Sequence, residues 1–538
     1  MAQTVRKAKP SNIHARLTKL RAGMTLELKP GSYRRPLVVS GKSGTQAEPI
    51  VIRGEKARLG PETPYEDYRI EANRLSAVQE AGGRYPGVYY LADDAMLILR
   101  DCQWVVVEDL EFDGCWPTAI YIDNCQHITL RGLDIRGGTF AIGATGTDTR
   151  HLLIEDCTWL QDVNAAGERD IASIRRKRRL ETATPPDNPS LWGSIDWEEV
   201  HGTWEENQHR VDIDADHRGF DGDFFRAWTI AGYVIIRNNI IADAFNAVHF
   251  FNTAAASIVT DYCRNVLIEG NWFIRIRDNA IEPEDFAWNW TIRHNRFVDC
   301  YIPFSFEMQR SGYFYLYGNL GWNPHRPGPP LDDHTRGQLF KFPTVHAADG
   351  PHYVFNNSWM LRSPLIKKRR FSHLVHVNNA IDYYDEDGHR PPEGAEPFGP
   401  DWQSGDTGET PEEGRFTRQW EPLSIRFDAD VVGHPHFPDA LRQAGYPIGP
   451  SARGIRPDFA DTTPGVPKGL RTTVHHPAER LEIALPDGQS LVAVDTGAAV
   501  GAWQGNRLIS VDSPPFVQYW PEPNLPKRSK ASPSSSAA

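Results

Sequence analysis

Asn271, Asn295 and Asn319 recur every 24 residues, and Asn357 and Asn379 lie 22 apart. Each stands at the end of a short run in which β-branched or aromatic residues alternate with polar ones. The runs are Val266–Phe273, Trp290–Phe297, Phe314–Asn319, Tyr353–Ser358 and Leu374–Asn379, with earlier members at Trp104–Phe112, His127–Ile135, His151–Trp159 and Val234–Ile241. Alternation with period two is the pattern of a strand, and Asn or Gly at its end marks a turn. A repeat this short, carrying strands and tight turns, is the signature of a stacked solenoid.

Between these runs lies a second set of short strands: 119–123, 140–144, 247–252, 280–285, 303–307 and 339–342. Two or three strands in each 22–24 residues predict an all-β chain wound as a right-handed parallel β-helix, its coils stacked about 4.8 Å apart. Asn at equivalent places in successive coils would form a side-chain ladder at one corner. A β-propeller spends about 40–45 residues on each four-stranded blade, so its period does not match.

The opening segments Leu20–Tyr33, Leu37–Thr45 and Glu48–Gly54 resemble the first coils of the chondroitinase-B/alginate-lyase family (polysaccharide lyase family 6) and, more broadly, the pectin-lyase-like β-helices. The likeness runs over residues 12 to 380. It implies a solenoid and an activity on polysaccharides. In that family an E-x-E pair with nearby Asn holds Ca²⁺ against the uronate carboxylate, and a Lys/Arg pair removes the C5 proton. Glu282-Pro-Glu284 is similar to the E-x-E motif. No Lys follows it between Phe286 and Trp290, and the place resembling the family's F-R segment reads Phe306-Glu307. Lys341, Arg310 or His249 would then have to act from a different geometry.

We expect the β-helix over residues 12–380, with a long polar insertion at about 160–220. A loop or linker over 381–425, a small C-terminal β or cap region over 426–525 and a disordered tail over 526–538 complete the chain. The insertion carries the basic run Arg175–Arg179, read as a solvated loop face, and Trp192, Trp197 and Trp204. The 58 Lys and Arg against 70 Asp and Glu give a formal charge of −12, which argues against a nucleic-acid partner. No stretch is apolar for long enough to span a bilayer. The six cysteines show no C-x-x-C spacing, so they read as buried thiols rather than a zinc site. Without an apolar leader the literal expectation is cytoplasmic, or secreted or periplasmic if residues precede Met1.

Alternation also assigns side chains to faces. Val248, Phe250, Ile281, Pro283, Phe304, Phe306, Phe340 and Phe342 should point inward. The outward residues should form two columns on one wall. Asp221, His249, Glu282, Ser305 and Lys341 make the first; Asp223, Phe251, Glu284 and Glu307 make the second. Trp288, Asn289 and Trp290 flank them. Like charges stacked at strand spacing repel, so something must offset the cost: a cation, shared protons or a function.

This wall is the candidate catalytic groove. Our sequence reading is a carbohydrate-active enzyme that cleaves glycosidic bonds of a polysaccharide or oligosaccharide, with hydrolysis placed ahead of elimination. Glu284 and Glu307 are the expected carboxyl pair, with Asp223 and Glu282 as orienting or alternative acids. His249, Lys341, Asp221, Asn252, Trp288, Trp290 and Arg310 are expected to bind substrate. Hydrolysis needs no cofactor. The alternative, a Ca²⁺-dependent lyase acting on a uronate polymer, would turn Glu282 and Glu284 into metal ligands. A non-catalytic glycan-binding solenoid is the third reading.

Overall fold

The computed structural model describes residues 4–61, 94–115, 117–162, 191, 200, 220–251, 263–284, 287–306, 311–323, 339–342, 352–361, 366–367, 374–377, 379–383, 426–428, 430–432, 490–492, 499–504 and 507–510. Three parallel sheets of 13, 12 and 10 strands account for nearly all of the described chain. Successive strands visit the three sheets in a fixed order. One coil runs through Gln103–Glu108, Glu111–Asp113 and Thr118–Asp123, and the next through Gln126–Arg131, Asp134–Arg136 and Phe140–Thr145. Each strand pairs in parallel with its counterparts one coil before and one coil after. The chain is a right-handed parallel β-helix, the hand that parallel crossovers adopt.

The solenoid is wider than the sequence reading placed it. Thr4–Ala8 pairs with Met24–Leu28, so coils begin ahead of residue 12. At the other end Arg426–Asp428 stacks on Leu374–Val377, and Val431–Val432 stacks on Ala380–Tyr383. Residues 426–432 therefore continue the solenoid across the segment expected to be a linker, rather than opening a cap region. Ser490–Val492, Ala499–Gln504 and Arg507–Ser510 form a small antiparallel sheet. Most of the 160–220 insertion, including its basic run and its tryptophans, lies outside the described residues, as does the 526–538 tail.

One continuous core fills the interior. Ile120, Ile142, Phe225, Val248, Ile281, Phe304 and Phe340, from successive strands of one sheet, face Val105, Ile128, Leu152, Val234, Val266, Trp290 and Phe314 of another. Burying each such side chain contributes roughly 1.5–3 kcal/mol. All six cysteines are free thiols and buried. No helix among the described residues is long and apolar enough to cross a membrane.

The asparagine ladder stands at the corner after the 13-stranded sheet. Asn295 shows the unit: its Oδ1 accepts from the Asn271 backbone N–H at 3.0 Å and from Asn271 Nδ2 at 3.0 Å. Its own Nδ2 donates to the Ile268 carbonyl at 2.9 Å and to Asn319 Oδ1 at 3.1 Å. The same bonds link Asn239, Asn271, Asn319, Asn357 and Asn379. The last amide donates to Asp430 Oδ1 at 3.0 Å, so a carboxylate closes the ladder. Turn N–H groups that strand pairing cannot reach are satisfied in this way.

Candidate active site

The 10-stranded sheet carries the site on its outer face. Its central strands are Phe225–Trp228, Val248–Phe251, Asn279–Pro283, Ile302–Ser305 and Phe340–Lys341. Each alternates inward apolar side chains of the core with outward ones, among them Arg226, His249, Glu282, Ser305 and Lys341. Arg226 is the register partner of His249, His249 of Glu282, and Ser305 of Lys341, so these residues share one column with Glu282 and Ser305 adjacent. The second column holds Trp228 and Phe251, with Glu284 one coil further on, where its backbone N–H bonds the Phe250 carbonyl.

The column differs from the acid-rich one expected. Asp221 and Asp223 precede the wall strand, and the residue in the outward slot is Arg226. The long insertion obscures where that coil resumes, and its wall strand starts just after Asp-Gly-Asp, at Phe225–Trp228, whose own alternation marks Arg226 as outward. A cation thus stands where a fifth stacked polar or acidic group was expected, and it offsets the like-charge cost.

His249 is the hub. Arg226 Nη1 donates to His249 Nδ1 and, at 2.9 Å, to Asp223 Oδ2. His249 Nε2 lies 3.2 Å from Glu284 Oε1, and its Nδ1 lies 3.4 Å from Glu282 Oε2 and 3.7 Å from Asp223 Oδ1. Ser305 donates its hydroxyl to Glu282 Oε1 at 3.1 Å. With Arg226 donating to Nδ1, the proton of the neutral imidazole sits on Nε2 and points at Glu284. A second proton at Nδ1 requires that contact to give way toward Glu282.

Burial separates the roles of the carboxyl groups. The Asp223 side chain is 0% exposed, Glu282 13% and Glu284 31%. Burial drives the Asp223 carboxyl above its usual range, against the pull of Arg226 and His249. Burial also opposes charge on Glu282, but His249, Lys341, Arg226 and the Ser305 hydroxyl outweigh it and hold this carboxyl below its ordinary value. For His249, burial and Arg226 push the imidazole down, while Glu282, Glu284 and Asp223 together lift it above its ordinary value. Groups pushed apart in this manner are characteristic of acid–base sites.

The expected site residues fall into three groups. Glu282, Glu284, His249 and Asp223 come together, with Asp221 and Lys341 close enough to act on their charges. Trp290 does not join them: it belongs to Trp288–Arg293 of the 13-stranded sheet, is fully buried against Phe250, and donates Nε1–H to the Cys263 carbonyl at 2.8 Å. It is a core residue beneath the wall, and Trp288 stands on that same strand of the other sheet. Asn252, Glu307 and Arg310 lie outside the described residues, so the expected Glu284–Glu307 pair has no described geometry.

The triad of His249, Glu282 and Glu284 offers one ligand atom each within 4.8 Å of one another. Ca²⁺ takes about six to eight oxygen ligands. Here one of the three donors is an imidazole nitrogen, and the Arg226 guanidinium is packed against the same ring. Among the described residues, this donor set does not fit the Ca²⁺ that the family resemblance implies.

No protein-family model matches the chain, and no curated protein matches it. Solved structures do. One is a mannuronic acid specific lyase of polysaccharide family 6 from human gut microbiota, at 11% identity over 84% of this chain and 91% of that one, with a TM-score of 0.44. A second is an alginate lyase of the same family, at 11% identity and a TM-score of 0.43; it matches 92% of this chain, which spans 55% of that one. A third is a lacto-N-biosidase of glycoside hydrolase family 136 from Eubacterium ramulus, at 12% identity over 70% of this chain and 67% of that one, with a TM-score of 0.36.

Proposed function

We propose that this chain is a carbohydrate-active enzyme that hydrolyses glycosidic bonds of a polysaccharide or oligosaccharide laid across the outer face of the 10-stranded sheet. The similar structures include both lyases and a hydrolase, which leaves the choice of chemistry to the residues. The observation that carries the reading is the environment of two neighbouring carboxyls. Glu282 and Glu284 have oxygens within 4.8 Å of each other, one held charged by four neighbours and the other more open to solvent.

Hydrolysis asks one carboxyl to work charged and the other to carry the proton. Glu282 takes the charged role, since His249, Lys341, Arg226 and Ser305 all favour its anion. Glu284, the more exposed of the two, takes the acid's part: with Oε1 against His249 Nε2, its Oε2 faces the leaving oxygen and delivers a proton as the glycosidic bond breaks. The short separation resembles that of retaining enzymes, about 5–5.5 Å, with Glu282 attacking the anomeric carbon and water later releasing the sugar. Asp223, sealed from solvent, cannot touch a sugar and acts by holding Arg226.

Elimination on a uronate polymer is the second reading, and the presence of Lys341 in the same column favours it. Lys341 would face the uronate carboxylate, and since the His249 ring has Arg226 against Nδ1 and its proton on Nε2, the C5 proton would go to a carboxylate of the cluster. The two chemistries separate in one assay. Wild type and Glu284→Gln are incubated with neutral and uronate polysaccharides, and reducing ends are recorded together with ultraviolet absorbance of unsaturated uronates. Reducing ends without absorbance, lost in the variant by about a thousandfold or more, would support hydrolysis. Absorbance from a uronate substrate would replace it with elimination. Silence on every substrate would favour the non-catalytic glycan-binding reading.

A further inference from the structure

We propose that Arg226 is a built-in cation that takes over the charge-balancing place of a divalent metal at this site, and that it fixes His249 as the Nε2–H tautomer so that the triad of His249, Glu282 and Glu284 stays metal-free. The inference concerns the same cluster as the hydrolysis reading but does not depend on turnover.

The argument is one of lone pairs. For Nε2 of His249 to bind a metal, its proton must move to Nδ1, and a metal-bound imidazole normally donates that other N–H to a carboxylate or carbonyl. Here the group against Nδ1 is a guanidinium nitrogen, which can only donate. Asp223 Oδ2 pins the same nitrogen from the other side at 2.9 Å, and Asp223 is fully enclosed, so the guanidinium cannot swing away without leaving a buried carboxyl unpaired. Glu282 Oε2 and Asp223 Oδ1 could receive an Nδ1–H, but they lie 3.4 and 3.7 Å away, outside good hydrogen-bond length.

Charge counting points the same way. Three carboxyls surround His249, and Arg226 together with Lys341 supplies fixed positive charge within the cluster. A divalent ion would add two more charges beside the guanidinium. Arg226 also lies over the rings of Trp228 at 5.9 Å and Phe251 at 5.6 Å, whose faces attract the guanidinium and help to hold it in place.

Two measurements test this without a substrate. Long-range proton–nitrogen spectra of ¹⁵N-histidine-labelled protein, with the His249 signals assigned by their loss in His249→Gln, should show the neutral ring protonated at Nε2. A neutral ring protonated at Nδ1 would overturn the proposal. In calorimetric titrations of EDTA-treated protein with Ca²⁺ and Zn²⁺, wild type should show no binding that Glu284→Gln removes. Arg226→Met should gain Zn²⁺ affinity by about tenfold or more, the scale on which second-shell partners act. Stoichiometric metal uptake by wild type that Glu284→Gln abolishes would overturn it. So would an Arg226→Met protein, folded by circular dichroism, that binds no metal. A turnover assay that fails leaves all of these readouts intact, so the two proposals fall separately.

Discussion

Ser305 donates its hydroxyl to Oε1 of Glu282 from the next coil, and this 3.1 Å bond is made by a side chain with no exposure to solvent. The serine occupies the wall column between Glu282 and Lys341, so it holds the carboxylate to one rotamer while the lysine adds charge. Removing it tests whether Glu282 works as an anion. Ser305→Ala withdraws one of the groups that hold the Glu282 carboxyl low, so the acidic limb of the rate profile should move to higher pH. The rate at low pH should fall by about tenfold, the scale of a hydrogen bond to a charged group, while the plateau changes little. A profile measured from pH 4 to 8 checks this, and a uniform loss at every pH would speak for a structural role instead.

On the 13-stranded sheet, Trp104, His127 and His151 stack through successive coils at 3.9 and 4.3 Å between ring centroids, and Tyr233 follows at 5.0 Å with its ring tilted. Burial, with Arg150 nearby, lowers both imidazoles, and His127 adds to the effect on His151, which is brought down to about 4. The folded state therefore binds fewer protons than the unfolded chain between about pH 6.5 and 4. The stability contributed by these rings is present above the unfolded pKa and is lost as pH falls through that window. Melting temperatures followed from pH 7.5 to 4.5 should decline less steeply in His151→Gln than in wild type, even if the variant is less stable at neutral pH.

The asparagine ladder should be expensive to break. Asn295→Ala removes an acceptor from two Asn271 donors and a donor from the Ile268 carbonyl, all within a fully buried corner. Unsatisfied buried groups cost about 1–3 kcal/mol each, so a loss of about 2–4 kcal/mol is expected. Urea denaturation reads the loss. Asn295→Asp keeps the acceptor but not the amide donor, and should also be destabilised.

Trp290 provides the control on the opposite sheet. Its indole packs between Phe250 and Phe314 and donates to the Cys263 carbonyl. Trp290→Ala should lower stability by about 3–5 kcal/mol, and Trp290→Phe by less. KM in the folded fraction of Trp290→Phe should remain near that of wild type, since no sugar reaches the core. A large rise in KM with unchanged stability would place the residue back in the groove.

The repeat was legible because solenoid coils are held by local rules that each segment states separately. Asn295 needs only its own coil and the next to do its work, and the alternation of Val248, Phe250, Phe304 and Phe340 is enough to tell inside from outside. His249, Glu282, Ser305 and Lys341 were placed on one column for the same reason. Trp290 was misplaced because nearness in sequence to Glu284 is not nearness on a sheet: the corner after Pro283 carries the chain to another wall.

What the sequence by itself determined is the coil, its inward face and the presence of carboxyls on an outward one, since strand period and turn chemistry are written within about twenty-four residues. What only the tertiary structure decided is which charges meet. Arg226 meets His249 from a strand whose start the long insertion before it obscures, and Asp223, just ahead of that strand, is enclosed against both. Those placements depend on the register of one strand against its neighbour, where a shift of a single residue would turn every side chain to the opposite face.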